Sequence, residues 1–422
     1  MKSNYKLLGD YITRVDVRNK NLETTNLKGL SMTKEFRDST SNIVGVDLSK
    51  YKLVPKNHFA CDFMSVIRVH KLPVVHQNSD DLIIVSPAYT VFKVIDESVL
   101  NPEYLMMWFR RPEFDRYADF RCDSAIRGGF KWDELGEVEL PIPSIEKQHA
   151  IVKEYNAIVS RIKLNEILNQ KLEDTAQALY KHWFVDFEFP NAEGKPYQSS
   201  GGEMVYNAEL DMEIPVGWEI FSVDDLIEYK KGNAFKSNNY VEKGHPVIRV
   251  SDLTSNSINF NECLFVNDKI ASLKTDYILN LNDIIITSVG SWPHNPLSVV
   301  GKVVKVPNSK GKPLLNQNMV RIRTKEKILQ LLLFVALTRK EFSEYVISGA
   351  QGSANQASVT LKHLFAYKIC LPKNEILKNF SKKIDCIYCV HSLKEQESFL
   401  LKNSQKLILS KMSKVETKTA VV

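Results

Sequence analysis

The chain has 422 residues, of which 44% are hydrophobic and 25% are charged, and its formal net charge is +6. This composition is typical of a folded protein of roughly two to four domains, and it excludes disorder over most of the length. The modest positive charge is compatible with a nucleic-acid partner, but it requires local basic clusters rather than a uniformly positive surface.

The cysteine pattern and the apolar runs indicate a cytoplasmic protein with no membrane contact. Six cysteines are scattered along the chain, whereas a small secreted domain would use them densely. The first residues, MKSNYK, contain no apolar region of the kind found in a secretory signal. The longest apolar run, at 328–337, is too short to span a bilayer and predicts a buried helix.

The first region, residues 1–144, predicts a mixture of strands and helices. The segments 82–87 and 89–94 are rich in β-branched and aromatic residues, which favour strands. A helix is expected from Pro102 to Arg110, with Asn101 as its N-cap. The region ends in a short amphipathic run, a strand and a proline.

Residues 145–187 then predict a long helix that begins near Ser144. Its apolar residues recur at steps of three and four, as a coiled-coil contact line requires, and Asn165 and Asn169 interrupt that line. The predicted contact residues are Ile151, Tyr155, Ile158, Ile162, Leu168, Leu172, Ala176, Leu179 and Trp183.

The third region, residues 188–374, repeats the pattern of the first. It opens with a Gly- and Pro-rich connector and contains strand-like segments at 246–250 and 283–288. The run that ends the first region returns at 357–372. In this alignment Leu135 pairs with Leu364, Ile142 with Leu371 and Pro143 with Pro372.

A second long helix is predicted within residues 375–422. Each long helix has one apolar stripe and no other partner, so we expect the two to pack on each other in antiparallel orientation. The fold class is therefore mixed α/β, with two globular domains separated by an antiparallel coiled coil. The contact residues predicted on the second helix are Leu377, Phe380, Ile384, Ile387, Leu393, Leu400, Leu407 and Met412.

Motifs for catalysis or metal binding are weak. Cys386 and Cys389 lack a second ligand pair, so buried thiols are the better interpretation. The sequence contains no glycine-rich cofactor loop after a strand and no phosphate loop of the ATP-binding type. The segment 101–104 is better explained as a helix start than as an adenine-methylation loop. A nuclease role for 193–195 lacks an upstream acid. We therefore predict no catalytic residue, metal or cofactor on this chain.

Polar and basic loops recur at equivalent places in the two globular regions. Lysine and arginine bind phosphates, while asparagine and glutamine can hydrogen-bond adenine through two atoms. A solvated loop is the ordinary explanation for any one of these residues, and their recurrence favours DNA binding. The candidates are Arg14, Arg18, Asn19, Lys20, Arg121, Arg127, Lys131, Lys230, Lys231, Asn233, Lys236, Asn238, Ser291, His294, Gln351, Asn355 and Gln356.

With these features the chain resembles the specificity subunits of type I restriction-modification systems. The most specific segment is 170–187 (QKLEDTAQALYKHWFVDF), which is similar to the central conserved region of that family. Segment 214–219 resembles the entry to its second target-recognition domain. Segment 355–372 resembles the exit into a conserved helix.

The resemblance implies the role of each region. Residues 1–144 and 188–374 would be target-recognition domains that each read one half of a bipartite site in double-stranded DNA. The helices of 145–187 and 375–422 would set the unread spacer. Two methyltransferase subunits would carry S-adenosylmethionine, and motor-nuclease subunits that use ATP and magnesium could join them. The chain itself would be a non-catalytic subunit.

Two other functions stay open at this stage. One is a single-chain enzyme that both cuts and methylates, which would require a catalytic loop and would transfer methyl groups on its own. The other is a coiled-coil adaptor between proteins, which would not show salt-dependent binding to duplex DNA.

Overall fold

The computed structural model describes residues 5–39, 45–122, 130–254, 257–294, 299–309, 311–373 and 375–414. The chain folds into two compact units. The first unit comprises the described residues within 1–164 and 398–422, and the second comprises those within 165–397.

The first unit is a mixed α/β structure, as expected. Its strands and helices are β1 (Tyr5–Leu7), β2 (Ile12–Val15), β3 (Lys28–Leu30), β4 (Phe36–Asp38), β5 (Lys52–Val54), β6 (His58–Cys61), α1 (Val66–Val69), β7 (Val74–His76), β8 (Ile83–Val85), β9 (Thr90–Val94), α2 (Pro102–Phe109), α3 (Pro112–Phe120), α4 (Trp132–Gly136), β10 (Glu139–Pro141) and the start of α5 (Ile145–Phe184).

The core of the first unit combines residues of an antiparallel sheet with residues of helices α2 to α5. The sheet has the order β2-β9-β6-β7, and the rings of Phe59 and Phe92 on neighbouring strands stack with centroids 4.9 Å apart. Phe109 of α2 packs edge-on against both rings. Helix α2 begins as predicted, because the side chain of Asn101 accepts a hydrogen bond from the Tyr104 amide at 3.0 Å.

The second unit contains the remaining elements. They are β11 (Met204–Asn207), β12 (Met212–Pro215), β13 (Glu219–Ser222), α6 (Val223–Leu226), β14 (Ile227–Lys231), β15 (Tyr240–Val241), β16 (His245–Ile248), β17 (Leu264–Val266), α7 (Asp268–Leu273), β18 (Ile284–Thr287), β19 (Val289–Gly290), β20 (Val303–Lys305), β21 (Leu314–Leu315), β22 (Met319–Thr324), α8 (Gln330–Leu337), α9 (Lys340–Ser348), β23 (Gln351–Ser353), β24 (Gln356–Ser358), α10 (Leu361–Phe365), β25 (Lys368–Leu371) and α11 (Glu375–Lys411).

The two units share one topology, which confirms the repeat seen in the sequence. The sheet β14-β22-β18-β20 of the second unit has the connectivity of β2-β9-β6-β7 in the first. Strand pair β13–β25 corresponds to β1–β10, and helices α8, α9 and α10 follow the order of α2, α3 and α4. The paired residues Leu135 and Leu364 are both fully buried.

The long helices α5 and α11 pair in antiparallel orientation within each unit. In the second unit, Phe380 near the start of α11 packs on Trp183 and Phe184 near the end of α5. In the first unit, Gln405 near the end of α11 donates a hydrogen bond to the Tyr155 hydroxyl near the start of α5, at 3.0 Å. The predicted antiparallel pairing is therefore confirmed.

The predicted contact line between these helices was wrong at four leucines. Leu168 of α5 and three leucines of α11 are exposed, whereas Asn165 is 1% exposed and His391 is 6% exposed. Polar side chains occupy the facing positions in the middle of the helices. Apolar periodicity therefore placed the predicted contact line on leucines that lie on the outer side. The three exposed leucines of α11 are Leu393, Leu400 and Leu407.

The prediction of buried thiols on α11 was also wrong, because Cys386 and Cys389 are both exposed. The buried residues around them are Ile384 and Tyr388, which place the two cysteines on the outward side of the helix. The apolar run at 328–337 does form a buried helix, α8. None of the described helices combines the length and apolarity needed to cross a membrane.

Candidate nucleic-acid interface

Several polar loops of the second unit meet at one end of its sheet. The loop that follows β14 is tied to the turn before β22, because the Gly232 amide donates to the Met319 carbonyl at 2.9 Å. A side chain at Gly232 would lie 1.7 Å from the Asn316 carbonyl oxygen, so the close approach requires glycine. The Ser288 amide, just after β18, donates to the Asn318 carbonyl of the same turn at 2.9 Å.

The hairpin of β23 and β24 is joined to the same end of the sheet. Strand β24 pairs with β19, which directly follows Ser288, and the Val359 amide donates to the Ser288 carbonyl at 3.0 Å. The indole nitrogen of Trp292 donates to the Ser353 carbonyl at 2.8 Å and holds the tip of the hairpin. Two loops that are far apart in the sequence, one at 230–239 and one at 351–356, therefore lie on one surface.

We call this surface the polar face. Its side chains are amides, hydroxyls, one imidazole and one ammonium group, which together can contact both phosphates and base edges. It consists of Lys231, Asn233, His294, Gln317, Asn318, Gln351, Ser353, Asn355, Gln356 and Ser358.

The lysines on and beside the polar face differ in how their charge is used. The ammonium of Lys230 lies 2.9 Å from the Asp276 carboxylate and over the Tyr277 ring. Its hydrogen bond lowers the pKa of Asp276 below the usual value, so Lys230 already takes part in an ion pair at the surface. Lys231 and Lys236 are exposed and are better placed for a phosphate.

Two asparagines of the same loop have different roles. The side-chain amide of Asn233 donates to the Ala234 carbonyl at 3.1 Å and accepts from the Lys274 ammonium at 3.2 Å. These contacts hold the loop and leave little capacity for a base. Asn238 is exposed and stays a candidate.

Two predicted contact residues are buried instead. Asn19 is fully buried, and its amide donates to the Thr24 carbonyl at 2.9 Å. Ser291 is 8% exposed. Because backbone groups in loops need hydrogen-bond partners, polar side chains can be there to satisfy them, and the sequence does not distinguish this role from DNA binding.

The equivalent end of the sheet in the first unit carries basic side chains that are paired with acidic ones. The guanidinium of Arg18 donates to the Lys50 carbonyl at 2.8 Å and pairs with Asp16 at 3.0 Å. The hydrogen bond from Arg18 lowers the pKa of Asp16. Lys20 is exposed beside this pair and stays a candidate for a phosphate contact.

The other candidates of the first unit surround helix α4. The guanidinium carbon of Arg14 lies 4.8 Å from the centroid of the Trp132 ring. Lys131 directly precedes α4 and is exposed, while Arg121 pairs with Glu137 directly after α4. Arg127 lies outside the described residues.

The structure adds two side chains that the sequence did not single out. Ser353 and Ser358 share the exposed side of the hairpin with Gln351 and Gln356, because side chains alternate along a strand. Period-two alternation was the signal that could have found them. Within the described ranges, no group of three or more His, Cys, Asp or Glu side chains is arranged to hold a metal ion.

These observations define a class of protein with two topologically equivalent α/β domains, long helices that pair, and polar loop surfaces suited to nucleic acid. A family model described as type I restriction modification DNA specificity domain matches residues 215–420. Those residues belong to that family, and the resemblance stated from the sequence is confirmed.

Two similar proteins are also specificity subunits of type I restriction enzymes. The chain is 33% identical over 162 residues to the specificity subunit of type I restriction enzyme MjaIX from Methanocaldococcus jannaschii, over 38% of this chain and 35% of that relative. It is 34% identical over 127 residues to the HindI specificity subunit from Haemophilus influenzae, over 29% of this chain and 27% of that relative. The matched segments thus span about a third of these relatives.

One solved structure shares the fold over the whole chain. It is the S subunit of a type I restriction-modification system from M. genitalium, with a TM-score of 0.53 and 13% sequence identity. The alignment covers 98% of this chain and 96% of that one. The likeness concerns the fold, because the identity is low.

Proposed function

We propose that the chain is the DNA-specificity subunit of a type I restriction-modification complex in the cytoplasm. Each unit would use its globular domain to read one half of a bipartite DNA site. The observation that carries the proposal is the repeated topology, with the same strand order and helix order in both units. Two equivalent domains in one chain suit a target with two separate half-sites.

Each domain would combine phosphate contacts with base contacts. Exposed lysines such as Lys20 and Lys231 would position the domain on the backbone without selecting a sequence. The amides and hydroxyls of the polar face would select the bases through hydrogen bonds in the major groove. The low charge of the polar face supports a role in selection, because affinity alone would be served better by more lysines.

The long helices would set the spacer between the half-sites. Helix α5 has 40 residues and α11 has 37 residues. At 1.5 Å per residue, a helix of this size is about 60 Å long. At about 3.4 Å per base pair, that length corresponds to about 1.7 turns of B-DNA, which is an upper bound on the distance between two contact sites.

The same helices would dock two methyltransferase subunits. Both carry apolar side chains that are exposed in this chain and that a partner could bury. They are Leu164, Ile167 and Leu168 on α5, and Leu393, Phe399, Leu400 and Leu407 on α11.

The chemistry would belong to the partner subunits. The methyltransferase subunits would bind S-adenosylmethionine and methylate an adenine after taking it out of the base stack, which costs a few kcal/mol. Motor-nuclease subunits that use ATP and magnesium would be further partners. This chain would supply the recognition of the DNA sequence and no catalytic group.

Mapping of adenine methylation across the genome tests the proposal. Cells that carry the chain with its methyltransferase partner should show a bipartite methylated motif that disappears when the chain is deleted. A genome without such a motif in the presence of both proteins would refute the proposal. Methyl transfer by the purified chain alone would favour a single-chain enzyme instead.

A further inference from the structure

The hairpin of β23 and β24 presents one uncharged polar surface to solvent. In the antiparallel register, Gln351 lies opposite Ser358 and Ser353 lies opposite Gln356. These four side chains share one side of the hairpin, because alternate residues of a strand point to opposite faces. The other side carries Gly352 and Ala357, and Ala357 is fully buried in the core of the second unit.

The hairpin is held along one edge and at its tip, while β23 forms the free edge of the sheet. On one edge, β24 pairs with β19, and on the tip the Trp292 indole donates to the Ser353 carbonyl at 2.8 Å. A side chain at Gly352 would lie 2.0 Å from the Gln356 carbonyl oxygen, so the strands approach as closely as glycine permits. A surface held in this way is preorganised, which reduces the entropy lost on binding.

The side-chain types of the hairpin match some bases better than others. Asparagine and glutamine can hydrogen-bond adenine through its N6 and N7 atoms, whereas guanine is usually read by arginine or lysine and cytosine by a carboxylate. The segment 349–358, GAQGSANQAS, contains none of these charged residues. The Ser358 hydroxyl donates to the Gln351 carbonyl at 3.2 Å, which leaves Gln351, Ser353 and Gln356 as the main hydrogen-bonding groups of this surface.

The hairpin also has a form that the major groove can admit. The major groove of B-DNA admits a two-stranded β-ribbon, and β23 is the edge strand of its sheet. The hairpin projects Asn355 at its turn, which is exposed as well. An amide-bearing ribbon with a free edge can therefore enter the groove without moving the rest of the sheet.

We propose that this hairpin reads adenine-containing base pairs in the major groove of the half-site bound by the second domain. The inference rests on the proposed function and adds the reading element and its base preference. Gln351 and Gln356 would bond adenine directly, and Ser353 would tolerate several bases.

The test uses the full chain in its complex with the methyltransferase subunits. The variants are Gln351→Ala and Gln356→Ala on the hairpin, with Gln198→Ala as a matched control because Gln198 is an exposed glutamine between α5 and β11. In methylation-site sequencing, each hairpin variant should lose preference for an A·T pair in one half-site by about tenfold or more. The other half-site and the spacer should stay unchanged, and the control should keep the whole motif.

A second variant gives a change of specificity. Gln356→Glu replaces the amide with a carboxylate, which accepts a hydrogen bond from the cytosine amine. We expect this variant to shift one position of the half-site from A·T toward C·G. If Gln356→Ala abolishes methylation altogether, the complex is instead tested by competition binding. The competing duplexes differ by A·T to G·C changes in the half-site, and the measurement is the discrimination between them. Lost discrimination supports the inference, and retained discrimination overturns it.

The failure of the inference is distinguishable from the failure of the proposed function. Unchanged half-sites in both alanine variants would overturn the inference and leave a bipartite motif in place. The absence of any bipartite motif with the unmodified chain would refute the proposed function itself.

Discussion

The buried pair of His391 and Glu173 should make the stability of the second unit depend on pH. The Nε2 atom of His391 lies 3.1 Å from a Glu173 carboxylate oxygen on the other long helix, and its Nδ1 atom lies 3.5 Å from Glu395. Burial by itself would lower the pKa of His391, but the two carboxylates raise it from 6.5 to about 9. The perturbation is the substitution His391→Gln, which keeps a hydrogen-bond donor and removes the titrating group.

The magnitude follows from the shift in pKa. A rise from 6.5 to about 9 is worth about 3 kcal/mol, at 1.36 kcal/mol per pKa unit. Because the folded state holds the proton more tightly, this stability is fully present below pH 6.5 and is lost as the pH rises through about 9. Lys305, whose pKa is lowered by burial, acts in the opposite direction, because its proton is held less tightly in the folded state.

The assay is urea denaturation of the full chain and of the His391→Gln variant at pH 6, 8 and 10. The difference in unfolding free energy between the two proteins should fall from about 3 kcal/mol at pH 6 to within about 1 kcal/mol at pH 10. His182→Gln, an exposed change on α5, is the matched control. A difference that stays constant from pH 6 to pH 10 would refute the reasoning.

Three further predictions concern the spacer, the first domain and the phosphate contacts. Deletion of about two turns, or seven residues, from each long helix should shorten the methylated spacer by about three base pairs, because the helices lose about 10 Å, and both half-sites should stay unchanged. Altered half-sites with an unchanged spacer would contradict the role of the helices. Gln148→Leu should destabilise the first unit by about 3 kcal/mol in urea denaturation, because the buried Gln148 side chain accepts a hydrogen bond from the Asn101 backbone amide and donates to the Val99 and Pro143 carbonyls. The control is His149→Leu, a change at an exposed neighbour that should have little effect. Equal denaturation midpoints for the two variants would contradict the prediction. Lys231→Ala should weaken the binding of the complex to all duplexes alike and reduce the salt slope by about one, and a loss confined to one sequence would instead indicate a base contact.

The long helices show where sequence reasoning succeeds and where it stops. Their existence, start and direction follow from local periodicity and from the two repeated runs, which depend on residues close in the chain. The residues on their contact line were harder to predict. Leu393 is exposed while His391 is buried, because the acidic partner of His391 is contributed by the other helix.

The candidate DNA surface shows the same division. Residue types in the loops at 230–239 and 351–356 predicted hydrogen bonding and charge, and both loops contribute residues to the polar face. The roles of single side chains were not predictable. Asn19 and Asn238 are both asparagines in polar loops, yet the first is fully buried against backbone carbonyls and the second is exposed.

The sequence by itself determined the repeated α/β architecture and the two long helices, because periodicity, capping residues and the duplicated run are local properties of the chain. Tertiary structure decided which loops share a surface, which lysines keep their charge available and which polar residues lie between the helices. These features depend on contacts between residues that are far apart in the chain, such as Trp292 with Ser353 and Glu173 with His391. Such contacts form only when the sheet and the paired helices have folded around them.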